Sequence, residues 1–185
     1  MNLPNKLTVL RVLMIPVFVV FMIVPSLATL SYGKYIALAI FCVASFTDFL
    51  DGYLARRDNL VTNFGKFMDP LADKLLVCSA LICLTAMQPD DLPVWMVLII
   101  IAREFIISGF RLVASDTGIV IAASYWGKFK TVSHMTMIIL LILDIHHPIM
   151  HVITTIVVLI GLALTVISLV DYVVKNKQVL TQGGM

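Results

Sequence analysis

The sequence predicts an all-α membrane protein with six transmembrane helices and a short N-terminal interfacial segment, and three observations predict it. Of 185 residues, 61% are hydrophobic and only 13% are charged. With a mean hydropathy of +1.04, too little polar surface remains to clothe a water-soluble globule. Turn formers and charges break the apolar sequence into six stretches, each near the roughly 20 residues that cross a bilayer. Lys and Arg gather at alternate ends of those stretches, as the positive-inside rule requires.

Taken in order, Asn2-Leu3-Pro4-Asn5-Lys6-Leu7-Thr8 reads as the interfacial segment that turns into the membrane. The spans follow at residues 8–30, 33–57, 64–88, 92–115, 122–144 and 149–174. In the first, Pro16 and Pro25 each remove an amide donor and predict kinks. Lys6 and Arg11 ahead of the apolar run, with Ser26-Leu27-Ala28 behind it, imitate a secretory signal, but the apolar segments that follow predict a retained first span. Short punctuation joins the spans: Ser31 to Lys34, Arg56 to Asn59, Pro89 to Pro93, Asp116 to Gly118, and His146-His147-Pro148. No separate soluble domain fits, so residues 1–185 are expected to form one membrane domain. Thr181 to Met185 reads as a frayed tail.

One side of the membrane collects Lys6, Arg11, Arg56, Arg57, Lys66, Arg111, Lys128, Lys130, Lys175 and Lys177, against Lys34 on the other. Both termini are therefore expected in the cytoplasm of a multi-pass cell-membrane protein, with Asp90, Asp91, His146 and His147 facing outward. Trp95 and Trp126 fall near span ends, where interfacial anchors sit, and read equally as packing residues. Cys42, Cys78 and Cys83 lie in apolar runs and read as small buried hydrophobes. A net charge of +2 without a basic stripe disfavours nucleic acid as a partner.

Asp48 and Asp51 close the second span and Asp69 and Asp73 open the third, all at the cytoplasmic end. An aspartate at the centre of a crossing helix costs roughly 2.5–3.5 kcal/mol on insertion scales. Spacings of three and four put each pair on one helical face, and the short turn between makes the spans an antiparallel hairpin, so that the pairs converge. Four converging carboxylates need positive charge, and oxygen-only ligands suit Mg2+ or Mn2+ better than zinc. Two ions about 3.5–4 Å apart suit displacement at phosphorus. Taken singly, each aspartate reads as well as a helix cap or as a partner of Arg56, Arg57, Lys66 or Lys74. Gly52, Ala55 and Gly65 are small where helices or a ligand approach closely.

Read together, Asp48, Asp51, Gly52, Ala55 and Arg56, eight residues, then Gly65, Asp69 and Asp73 form eight fixed positions over 26 residues. This string resembles the signature of the CDP-alcohol phosphatidyltransferase family, D-x2-D-G-x2-A-R followed by eight residues and G-x3-D-x3-D. The resemblance implies a six-span fold and a CDP-linked donor, here CDP-diacylglycerol, attacked at the lipid-attached phosphorus by an alcohol with release of CMP. It implies Asp48, Asp51 and Asp69 as metal ligands, and Asp73 as the base, the second-metal ligand, or both. It also implies a nucleotide pocket of Gly52, Ala55, Arg56 and Gly65. The opening Asn5-Lys6-Leu7-Thr8-Val9-Leu10-Arg11 resembles the N-terminal pattern of the phosphatidylglycerophosphate synthases within the family, which implies that Asn5 and Thr8, read alone as helix caps, hydrogen-bond the donor head group. A homodimer in the bilayer is the assembly it implies.

The remaining cytoplasmic-side cations bear on the acceptor. Arg103, Arg111, Lys128 and Lys130 point to a phosphate-bearing alcohol. Arg103 and Arg111 share roughly one helix face, whereas adjacent Arg103 and Glu104 are expected not to face each other and to need separate partners. The elements Arg103-Glu104-Phe105 and Gly127-Lys128-Phe129-Lys130-Thr131 resemble those of the phosphatidylglycerophosphate synthases within the family, which implies sn-glycerol 3-phosphate as acceptor and phosphatidylglycerophosphate as product. An inositol phosphate or another alcohol is the alternative acceptor. His134 stands where many relatives are expected to carry Gln. His146, His147 and His151 imitate a metal site but read as a solvated external turn. No Ser, Thr or Cys forms a nucleophile and base pair, so direct attack without a covalent enzyme intermediate is expected. A cation transporter would spread its carboxylates through the membrane depth, and a prenyltransferase would not require the Gly and Ala-Arg positions between the Asp pairs.

Overall fold

The computed structural model describes residues 3–28, 32–57, 63–116 and 124–176, and every regular element among them is a helix. The elements are α1 (Leu3–Ile23), α2 (Pro25–Ala28), α3 (Gly33–Arg57), α4 (Asn63–Met87), α5 (Val94–Asp116), α6 (Tyr125–Leu143) and α7 (Pro148–Lys175). Among the described residues, six long helices stand along the apolar runs. Among the described residues, α1 over Asn5–Ile23 and α7 are long and apolar enough to cross a membrane by length and composition. The other long helices carry the charges of the motifs.

The N-terminus departs from the expectation of a separate interfacial segment. Leu3 to Thr8 form the first turns of α1 itself, because Pro4 lies in the first turn, where a helix has no use for its missing N–H. The helix also runs on through Pro16. It ends before Pro25, which starts the short α2. Of the cysteines, only Cys83 is buried; Cys42 lies on the outer face of α3. The linkers at 58–62 and 117–123 and the tail at 177–185 lie outside the described residues.

The helices cluster into two compact units, Met1–Met87 and Gln88–Met185. In the first, α1 packs on α3 and on α4, which also pack on each other. The buried face of α1 carries Asn5, Thr8, Arg11, Ile15, Phe18 and Met22 at helical spacing. Ala37 and Ala44 on α3 and Ala72 and Ala80 on α4 are buried, so backbones can approach closely, and Phe18 meets Phe41 at 6.0 Å between ring centroids. The polarity is inverted relative to a water-soluble helix: Leu10, Leu13, Val17 and Val20 are exposed while Thr8 and Arg11 are fully buried.

In the second unit α7 packs on α6 and α5. Its buried face is small and polar, with Gly161, Thr165, Ser168 and Tyr172, while Leu159, Ile160, Val166, Ile167 and Val170 are exposed. Gly161 is where α6 comes close: a Cβ there would stand 3.3 Å from His134 Cδ2 and 3.4 Å from Ser133 Oγ. The helix ends are finished locally. Ser124 Oγ accepts from Gly127 N at the start of α6, and Asp144 closes it at φ 44° with its N–H on the Leu140 carbonyl. Gln88 Nε2 donates to the Leu141 carbonyl at 3.0 Å, which serves one of the last-turn oxygens that a helix leaves unpaired.

Candidate active site

The motif aspartates lie one turn apart within α3 (Asp48, Asp51) and within α4 (Asp69, Asp73). The described side chains among them are those of Asp48 and Asp73, both partly buried. The side chains of Asp51, Gly52, Ala55, Arg56, Gly65 and Asp69 lie outside the described ones, although their backbones belong to these helices.

The partner of Asp48 is Arg11, which closes the N-terminal Asn5-to-Arg11 pattern and counts toward the positive-inside bias but has no partner assigned to it in the sequence reading. Arg11 Nη1 donates to Asp48 Oδ1 at 2.5 Å and Arg11 Nε donates to the Ala44 carbonyl at 3.2 Å. The arginine side chain is 0% exposed and the aspartate 37%. Burying a guanidinium is costly unless it is paired and hydrogen-bonded, and α3 supplies both requirements one turn apart. Asn5 and Thr8 precede Arg11 by two steps of three, so all three share the buried face of α1. They sit inside the helix, which replaces the reading of Asn5 and Thr8 as caps. That spacing of three was the available signal for Arg11.

The four candidate acceptor residues separate into two groups. Arg103 and Lys130 are buried and meet at one carboxylate: Arg103 Nη1 donates to Glu104 Oε1 at 2.8 Å, and Lys130 Nζ donates to the same oxygen. Arg103 Nε donates to Ser168 Oγ at 3.2 Å. The expectation that Arg103 and Glu104 would not meet is therefore overturned. Adjacent Cβ atoms diverge around a helix, but both side chains are long enough to turn back toward each other. Arg111 and Lys128 are exposed, each over a tyrosine ring, Arg111 at 5.9 Å from Tyr172 and Lys128 at 5.5 Å from Tyr125. Two cations on one carboxylate leave the Arg103–Glu104–Lys130 cluster with one positive charge in excess, which suits an anion.

His134 lies one turn beyond Lys130, buried, with Nε2 at 3.0 Å from Thr165 Oγ. The Thr165 hydroxyl gives its one proton to the Gly161 carbonyl at 2.7 Å, so His134 Nε2 is the donor between them. The histidines around the α6–α7 turn border a cavity of about 380 Å3 with Asp91 and Asp144. All three are exposed and engaged close to the turn. His147 Nδ1 accepts from Ile149 N at the head of α7, His151 Nε2 lies 3.1 Å from Asp91 Oδ1, and His146 Nδ1 lies 3.0 Å from the Asp144 carbonyl.

Residues 1–167 match the model of the CDP-alcohol phosphatidyltransferase family. A Bacillus subtilis (strain 168) protein named CDP-diacylglycerol–glycerol-3-phosphate 3-phosphatidyltransferase is 53% identical over 138 residues, which cover 70% of each chain. A probable phosphatidylglycerophosphate synthase of Mycobacterium tuberculosis is 41% identical over 181 residues, 94% of this chain and 81% of that one. A Rickettsia typhi protein with the same name as the Bacillus relative is 41% identical over 143 residues, 77% of this chain and 76% of its own.

Proposed function

The chain belongs to the CDP-alcohol phosphatidyltransferase family, and we propose that within it the chain transfers a phosphatidyl group from CDP-diacylglycerol to sn-glycerol 3-phosphate, giving phosphatidylglycerophosphate and CMP. The observation that carries this reading is the 53% identity to a relative named for that reaction. The excess positive charge of the Arg103–Glu104–Lys130 cluster supports an acceptor that bears a phosphate.

The bilayer is the setting that the inverted polarity of α1 and α7 supports, with apolar side chains outward and Arg11, Thr8, Thr165 and Ser168 buried. In that setting the six long helices cross the membrane, both termini and the site lie on the cytoplasmic side, and the protein is a homodimer.

The donor set at Asp48, Asp51, Asp69 and Asp73 is all oxygen, on two helices that pack together in one unit, and it fits a hard divalent ion. These four residues would hold Mg2+ or Mn2+, two ions in all, which would offset diphosphate charge and the charge that develops as CMP leaves. Asn5 and Thr8, on the same buried face as Arg11, contact the donor head group, with Gly52, Ala55, Arg56 and Gly65 completing the nucleotide pocket. Arg11 holds Asp48 in place. Asp73 accepts the proton of the acceptor hydroxyl as its oxygen bonds to the lipid-attached phosphorus. The bond from that phosphorus to the CMP oxygen breaks, and no covalent enzyme intermediate forms. Arg103, with Lys130 behind Glu104, and the outer Arg111 and Lys128 draw the acceptor phosphate.

The deciding assay supplies purified protein, Mg2+ and CDP-diacylglycerol with glycerol 3-phosphate, inositol phosphate, inositol or serine in separate reactions. CMP release with glycerol 3-phosphate is expected. Release only with another alcohol would replace the acceptor, and labelled phosphatidyl group left on the protein without acceptor would replace the direct attack.

A further inference from the structure

Arg103 is 8% exposed, and its guanidinium is held on two sides. Ser168 Oγ gives its one proton to the Thr165 carbonyl at 3.0 Å, which leaves a lone pair turned to accept Arg103 Nε–H at 3.2 Å. Nη1 is taken by Glu104 Oε1. The third nitrogen, Nη2, has no partner among the described residues. It lies at the first turn of α6, where a Cβ on Gly127 would stand 3.8 Å from it. A carboxylate so near would repel a phosphate if it stood alone, and Lys130 on the same Glu104 oxygen turns the balance positive.

We infer that Glu104 and Ser168 are positioning residues for the acceptor: they fix the plane of the Arg103 guanidinium so that Nη2 is the donor offered to the acceptor phosphate. This rests on the acceptor reading above. A guanidinium left to rotate would lose that pre-organisation, and with it acceptor affinity rather than chemistry, because the phosphate is remote from the reacting hydroxyl. The signature is a raised acceptor KM at nearly constant kcat.

The test is CMP release by the full chain in detergent micelles, with glycerol 3-phosphate and CDP-diacylglycerol varied in turn. Ser168→Ala is expected to raise the KM for glycerol 3-phosphate about tenfold, the effect of losing one hydrogen bond to a charged group, with the donor KM unchanged. Ser168→Thr, which keeps the hydroxyl, is expected to restore it. Glu104→Asp keeps the charge and loses reach, and is expected to raise acceptor KM more than Glu104→Gln, which keeps reach and loses charge. An acceptor KM unmoved in Ser168→Ala would overturn the inference, as would a rise that Ser168→Thr does not reverse, or a Gln variant as impaired as the Asp one. If the unaltered protein gives no saturable response to glycerol 3-phosphate, the acceptor reading itself fails.

Discussion

In the first unit the arginine is the fully buried member of its ion pair, 0% exposed, and its aspartate is 37% exposed. In the second the cations are again the more buried members, Arg103 at 9% and Lys130 at 6% against 13% for the Glu104 carboxylate they share, but Arg103 keeps a donor unused among the described residues. The two pairs therefore differ in what they leave to offer. Arg11 holds a part-exposed carboxylate, and Glu104 steadies a guanidinium whose Nη2 is unused. A part-exposed carboxylate suits a metal, and a guanidinium with an unused donor suits a phosphate. If this contrast describes function, substitutions in the first unit should move metal and turnover, and those in the second should move the acceptor.

The largest effect is expected from Asp73→Asn, which removes the proposed base without changing shape. Turnover should fall by about 10^2–10^4-fold, the range for losing general base catalysis, while the KM for glycerol 3-phosphate stays near that of the unaltered protein. Steady-state CMP release measures both. Turnover close to normal would remove the first unit from the chemistry. Next is Glu104→Ala, which leaves two buried cations without their carboxylate and should lower the unfolding free energy by about 3–5 kcal/mol. Asp48→Ala removes the carboxylate from one cation and should cost less. Reversible unfolding in mixed micelles compares them, and equal losses would contradict the asymmetry. Smaller again is Arg11→Lys, which keeps the charge but cannot serve Asp48 and the Ala44 carbonyl together. The Mg2+ needed for half-maximal activity should rise about tenfold, as for one lost charge-assisted hydrogen bond, without a change in acceptor KM.

The helices were legible because an apolar run of crossing length has few alternatives, and α3 has the predicted bounds of 33–57. The start of α1 was not, since Asn2-Leu3-Pro4-Asn5 has the composition of a turn while Pro4 in a first turn favours a helix. The motif aspartates could be found from spacing along one chain segment. Their surroundings could not: Arg11 meets Asp48 across 37 residues, Lys130 meets Glu104 across 26, and Arg103 meets Ser168 across 65. Such pairings are decided by which faces pack, and α7 with its buried Thr165 and Ser168 read from sequence as one more apolar span. Arg11 was within reach, because 5, 8 and 11 form one polar stripe on an otherwise apolar helix.

The smallest effect tests whether the second unit depends on the spacing of its helices. At Gly161 an added Cβ would meet His134 Cδ2 at 3.3 Å, Ser133 Oγ at 3.4 Å and Met137 Sδ at 3.6 Å. Met137 can yield, but the imidazole is tied to Thr165 on the facing helix, so α6 has to give by a few tenths of an ångström. Crowding of this kind costs about 1–3 kcal/mol, and replacing glycine by alanine inside a helix returns up to about 1 kcal/mol. Gly161→Ala should therefore be only mildly destabilising. Lys130 rides on α6 and Ser168 on α7, so the shift reaches both groups that hold Arg103 and Glu104. Acceptor KM should rise by less than in Ser168→Ala, while the Mg2+ requirement and donor KM stay constant. A change confined to the donor or the metal would mean that the two units do not divide the work as their ion pairs indicate.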